Sequence, residues 1–232
     1  MTKIEKIITN TRSAEANDLC TSISSVIDKA GIDDPHLSAT KAEIDASNLS
    51  LTQSIKKDKA ESVLDERDDS RDAVYRSILH LNKGYLHHPD TKVKESATHA
   101  EAVIEKYGFE LTDATYSAQS ALVDSFMADM AQTELATDLA VLPGISGLLE
   151  QLSQEQASFK LAESELLAAR SNEQQASNAT AVKKDLLKLV NNKLVVYLRA
   201  MLQVNPAQYK DVATQIALLI DKSNTVVKRR RK

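Results

Sequence analysis

The chain has 232 residues, a net charge of −4, five Gly, four Pro, six Tyr, three Phe and no Trp. So few turn formers and aromatics exclude a β-rich architecture and point to helices around a core of Leu, Ile, Val and Ala, long enough for one or two domains. The acidic sum excludes nucleic-acid binding through the surface as a whole, the single Cys20 excludes an internal disulfide, and no run approaches the roughly 20 apolar residues that span a bilayer.

In chain order, residues 1–11 read as a charged lead with no secretory apolar run, so a cytoplasmic protein is expected. Ile4, Ile7 and Ile8 pin this lead to the body. A helix runs over 13–30 with Ser13 as its cap and Gly31 at its end. Cys20 shares a face with Leu19, Ile23, Val26 and Ile27, where it packs rather than reacts. After Asp33-Asp34-Pro35, a helix over 36–58 carries Leu37, Ile44 and Leu51 at seven-residue steps, then Ile55. That seam suits antiparallel, coiled-coil-like packing. Ser62-Val63-Leu64-Asp65 resembles a capping box, so a break near Ala60 and a new helix to about His87 are expected. One unbroken helix over 36–87 is the alternative.

A helix starting at Pro89 turns Val93, Ala97, Ala100 and Ile104 inward and ends at Tyr107-Gly108. Thr112 caps the next helix, which reaches Gln132 with Leu122, Phe126 and Met130 inward. Leu142-Pro143-Gly144 is a turn, and a helix over 145–171 follows with Ile145, Leu152, Phe159 and Leu166 at seven-residue steps. The polar run over 171–180 reads as a loop or frayed end. A helix over 181–204 carries Val182, Leu186, Val190, Leu194, Tyr197 and Met201, and Pro206 opens the last helix, with Tyr209, Val212, Ile216 and Leu219 inward. The expectation is an all-α protein of about eight helices in an elongated bundle. Pro89 and Pro206 hold equivalent places in two related four-helix units, 1–110 and 111–227, an internal duplication. Residues 228–232 form a basic flexible tail.

The helix across 65–87 is apolar at one end of its inner face, with Val74, Ile78, Leu81 and Tyr85, and charged at the other, with Arg67, Asp68 and Arg71. Asp68 and Asp72 both lie within helical reach of Arg71. If that face is buried, Arg71 must be paired, and the pair fixes helix register. The same residues also read as a solvated helix start with surface pairs.

His80, His87, His88 and His99 fall near one helix junction, and His80 and His87 share a face, which suggests metal binding through imidazoles. The competing reading is a polar turn at a helix end, where imidazolium suits the dipole. No Glu-x-x-His pair for a di-iron bundle, phosphate loop, paired-cysteine site or nucleophile elbow occurs, and no cofactor is expected. Lys228, Arg229, Arg230, Arg231 and Lys232 suit salt-sensitive contact with nucleic acid, or a solubilising terminus.

Three stretches carry a family resemblance. Residues 66–75 hold an Arg-Asp step before Tyr75, residues 85–90 a His88-Pro89-Asp90 turn, and residues 104–108 a Lys106-Tyr107-Gly108 helix end. Together they resemble an uncharacterised all-helical bacterial family, a domain of unknown function frequent in gut-dwelling anaerobes. Arg12-Ser13-Ala14-Glu15 resembles its opening, where Asn is more usual than Ser13. The resemblance implies a helical fold and no activity, so it carries over no functional residues. The role expected is a non-enzymatic cytoplasmic scaffold that binds a protein partner or itself. A nucleic-acid-associated factor using the tail is the alternative, and a metal-dependent enzyme at the histidines a third.

Overall fold

The computed structural model describes residues 3–171 and 178–230, and its regular structure there is entirely helical. Residues 172–177 of the polar run, and Arg231 and Lys232 of the basic run, lie outside the described residues. The helices are α1 Ser13–Ala30, α2 Pro35–Tyr85, α3 Thr91–Ile104, α4 Tyr116–Met130, α5 Thr133–Val141, α6 Ile145–Ser171, α7 Ala179–Leu189, α8 Val195–Val204 and α9 Pro206–Arg229. A 3-10 turn, Phe109–Asp113, precedes α4, and a π turn, Val190–Leu194, joins α7 to α8 as one rod, giving eight rods among the described residues.

The chain divides into two compact units: Met1–Lys59 with Ala168–Lys232, and Ala60–Leu167. The division is nested, because α2 and α6 each run from one unit into the other, and position 110 falls inside the second unit.

The first unit gathers α1, the N-terminal part of α2, α7, α8 and α9 around Ile4, Ile7, Leu19, Ile23, Ile44, Leu194 and Ile216. Gly31 ends α1 in the left-handed region, at φ 58°, where only glycine is unstrained. Ser13 is the first helical residue rather than the cap; Arg12 takes the cap place, and Glu15 accepts its backbone N–H at 3.1 Å. The lead is fixed by amides that mimic a neighbouring strand. Ile7 N–H donates to Asn191 Oδ1 at 2.7 Å and Asn191 Nδ2 returns to Ile7 O at 3.0 Å. Asn224 does the same for Ile8 N–H at 2.9 Å and Lys6 O at 2.9 Å.

The expected break near Ala60 does not occur. The helix runs unbroken through this point, with Leu37, Ile44, Leu51 and Ser54 buried before it and Leu64, Arg71, Tyr75, Ile78 and Asn82 buried after it. No Gly or Pro interrupts 36–83, and Asp65 accepts from the Tyr116 hydroxyl at 2.8 Å rather than capping anything. A Ser-x-x-Asp pattern on the solvent side of a helix is only a pair of polar residues, and without a Gly or Pro it does not stop the helix.

In the second unit, the C-terminal part of α2, α3, α4, α5 and most of α6 enclose Tyr75, Ile78, Ala100, Leu111, Val123, Phe126, Ile145 and Leu152. Leu64, Phe159, Ala162 and Leu166 form a smaller cluster. Pro89 stands before α3, whose cap is Asp90, accepting Lys92 N–H at 2.8 Å. Thr112 lies in the 3-10 turn, so α4 starts later than expected, and a separate short helix, α5, occupies the stretch before Pro143. The inner line of α4 is Gln119, Val123, Phe126 and Met130; Leu122, expected inward, is 37% exposed.

Candidate functional site

The most unusual interior group is Arg71, which is fully buried on the inner line of α2. Its Nη2 donates to Asp68 Oδ1 at 2.6 Å, one turn back on α2. Its Nη1 donates to Gln156 Oε1 of α6 at 2.8 Å and to Ser120 Oγ of α4 at 3.1 Å. The guanidinium carbon stacks over the Phe159 ring, 3.9 Å from its centroid. Among the described residues Arg71 Nε has no hydrogen-bond partner. A buried cation is tolerable only with such partners, since its desolvation is otherwise far too costly.

The bonds continue outward. Gln156 Nε2 donates to Ser120 O and to Asp124 Oδ1, each at 3.0 Å, and Lys160 closes on Asp124 at 2.7 Å. Burial pushes the Asp124 carboxyl up, but hydrogen bonds from Lys160 and Gln156, with the charges of Lys160 and Arg71, hold it below its ordinary value.

Asp72 does not pair with Arg71. It accepts from Arg76 Nη2 at 3.1 Å and from Gln119 Nε2 at 2.5 Å. Burial raises its carboxyl above the ordinary value, and the neighbouring Asp68 adds to that, against Gln119 and the two arginines. Arg67 is exposed. Gln156 and Gln119 were missed in the sequence, yet each occupies an inward position between apolar residues, Leu152 and Phe159 for one, Tyr116 and Val123 for the other. A polar residue in an apolar seam was the available signal.

The first unit holds a buried anion instead. Asp34 caps α2, its Oδ1 accepting from the backbone N–H of His36 at 2.9 Å and Leu37 at 3.1 Å. Its Oδ2 accepts from the hydroxyls of Tyr197 and Tyr209, the latter at 2.7 Å. Burial pushes this carboxyl up, but the two phenols and the two backbone donors outweigh it and hold it below its ordinary value. Cys20 is buried and burial pushes its thiol up to about 12, which suits packing and not nucleophilic work.

The four histidines are not brought together. His80 packs on Phe109 with centroids 5.5 Å apart, and His88 lies against Tyr85 at 6.3 Å and accepts Asp90 N–H at 3.2 Å. His99 meets Asp138 of α5 at 2.8 Å, and His87 is exposed. Among the described residues no group of three or more His, Cys, Asp or Glu is placed to hold a metal ion. The basic run is not a free tail over its described part: Lys228 and Arg229 belong to α9, and Arg230 pairs with Glu15 at 2.7 Å. It continues helical because Val227 is still buried and anchors that last turn. Among the described residues no helix is long and apolar enough to cross a membrane.

These observations define an all-α protein whose ionic centres tie helices to one another. Over residues 62–222 the chain matches a family model described as Family of unknown function (DUF6261), and it belongs to that family. The match takes in the whole Arg71 centre and most of α9. No curated protein and no solved structure matches the chain.

Proposed function

We propose that the protein is a non-enzymatic helical scaffold that binds a protein partner or another copy of itself through exposed helix faces. The observation that carries this reading is that its reactive side chains are engaged between helices. Arg71 joins α2, α4 and α6; Asp34 joins α2, α8 and α9; Asp138 of α5 accepts from Ser96 at 2.8 Å and His99 of α3. Meanwhile α6 turns Leu161 and Leu167 to solvent, 62% and 70% exposed, the side chains a partner would desolvate. The reading carries with it a bacterial, cytoplasmic setting and a duplicated ancestry, in which Pro89 before α3 and Pro206 opening α9 mark equivalent points.

Retention of proteins from native cell extract on full-length bait, at low and high salt, tests the reading. A discrete protein partner should survive high salt and be lost from a Leu161→Glu, Leu167→Glu bait that keeps its helical spectrum. Retention of nucleic acid alone, lost at high salt, overturns it in favour of the basic C-terminal residues.

A further inference from the structure

The outer face of α2 within the second unit carries a pattern that its inner face does not explain. Glu66, Asp69, Ala73, Arg76, His80 and Lys83 follow one another at steps of three and four, and all six are exposed. They therefore form a single stripe with a heptad repeat. Its charges are segregated: two carboxylates at one end, alanine in the middle, basic groups at the other.

The end charges are also uncommitted. Among the described residues Glu66 and Asp69 have no ion-pair partner. His80 and Lys83 pack on the Phe109 ring, Lys83 Nζ lying 4.9 Å from its centroid, and among the described residues neither has an ion-pair partner. Arg76, near the centre, is already held by Asp72 and by Thr112 Oγ1 at 3.0 Å. An ordinary solvated helix tends to mix its signs and satisfy them at four-residue spacing, and this stripe does neither at its ends.

We propose that a second copy of this chain docks on this stripe, with the two α2 helices antiparallel. This inference rests on the scaffold reading and adds self-association through α2 to the partner face on α6. In an antiparallel heptad pairing, facing positions have a constant sum. Here Glu66 faces the partner copy's Lys83, Asp69 its His80 and Ala73 its Arg76, and two-fold symmetry makes each contact twice. The small Ala73 at the crossing lets the helix axes approach. A parallel pairing sets like charge against like and is excluded by the same pattern. Because the contacts are exposed ion pairs, the dimer is concentration-dependent and weakened by salt.

Sedimentation velocity on the full-length protein, with circular dichroism to confirm folding, tests this. The native protein should show a dimer at about 0.02 M salt that dissociates near 0.5 M. Lys83→Glu alone, or Glu66→Lys alone, should weaken association by at least about tenfold, each setting like charges face to face twice. The double variant Glu66→Lys, Lys83→Glu should associate again, and so should an equimolar mixture of the two single variants. A native protein monomeric at low salt overturns the proposal, as does a dimer indifferent to the single reversals. A monomer that still retains its protein partner from extract overturns this inference alone; one that retains nothing overturns the scaffold reading with it.

Discussion

Arg71 and Asp34 are both ions buried inside helical packing, one in each compact unit, and their neighbours differ in kind. Asp34 sits before the first turn of a helix, so two of its partners are backbone N–H groups that any sequence would present there. Only the two tyrosine hydroxyls had to be placed by the rest of the fold. Arg71 lies inside a helix whose backbone donors and acceptors are spent on each other. Each of its contacts is a side chain, drawn from α2, α4 and α6. A carboxylate at a helix start is half-solved by geometry, whereas a guanidinium in mid-helix needs a purpose-built surround. The Arg71 centre is accordingly the less replaceable of the two.

The largest effect should come from Arg71→Ala, which strips Gln156 and Ser120 of their donor, leaves Asp68 alone and opens a cavity. We expect a loss of about 3–5 kcal/mol in urea melts. Arg71→Met also leaves Asp68, Gln156 and Ser120 without their donor but refills the space, so it should lose less than Arg71→Ala only by what the cavity costs. Equal losses for both variants would show that the hydrogen bonds, not the packing, carry the centre.

Asp34→Ala removes a cap and the carboxylate oxygen that accepts from two tyrosine hydroxyls, and should cost about 2–3 kcal/mol at neutral pH. The folded carboxyl lies below its ordinary value, so its contribution is present above the unfolded value of about 3.9 and is lost as pH falls through the folded one. The difference between native protein and Asp34→Asn should therefore shrink in acid below that window. Asp72 has the opposite sign. Its raised carboxyl adds stability below about 3.9 that disappears as pH rises through the folded value. Asp72→Asn should change stability at neutral pH by less than about 1 kcal/mol, because the amide oxygen still accepts from Gln119. A stability loss for Asp72→Asn as large as that for Asp34→Ala would erase the contrast between the two carboxylates. The smallest effect is expected for Lys160→Ala, at the solvent-facing end of the Arg71 chain of bonds. Half-exposed on both sides, its pair with Asp124 should be worth under about 1 kcal/mol and fade with salt.

Much of this architecture is readable from periodicity. The repeat Ile145, Leu152, Phe159, Leu166 gives α6, and Gly31 and Pro206 mark helix boundaries that the structure keeps. Short range also exposes Asp68 beside Arg71, three residues apart on one helix. What periodicity leaves hidden is of two kinds. A polar pair at capping spacing, Ser62 and Asp65, looks the same at a helix start and on a solvated flank. And Gln156, Ser120 and Phe159 reach Arg71 from 85, 49 and 88 positions away, so only packing selects them. Asp34 was visible as a turn residue before proline; that it also takes two tyrosine hydroxyls depends on how α8 and α9 lie in its own unit.

The asparagine clamp on the lead has a consequence for biosynthesis. Ile8 and Lys6 are held by Asn224, 216 and 218 positions further on. A ribosome therefore makes the held segment long before it makes the residue that holds it. Until α9 is released, Ile4 and Ile7 have no finished groove to enter, and the first unit, built from both ends of the sequence, stays open. The second unit, continuous from Ala60 to Leu167, can close while translation is still under way. The inserted segment can thus mature before its host, whose last contacts wait for α9.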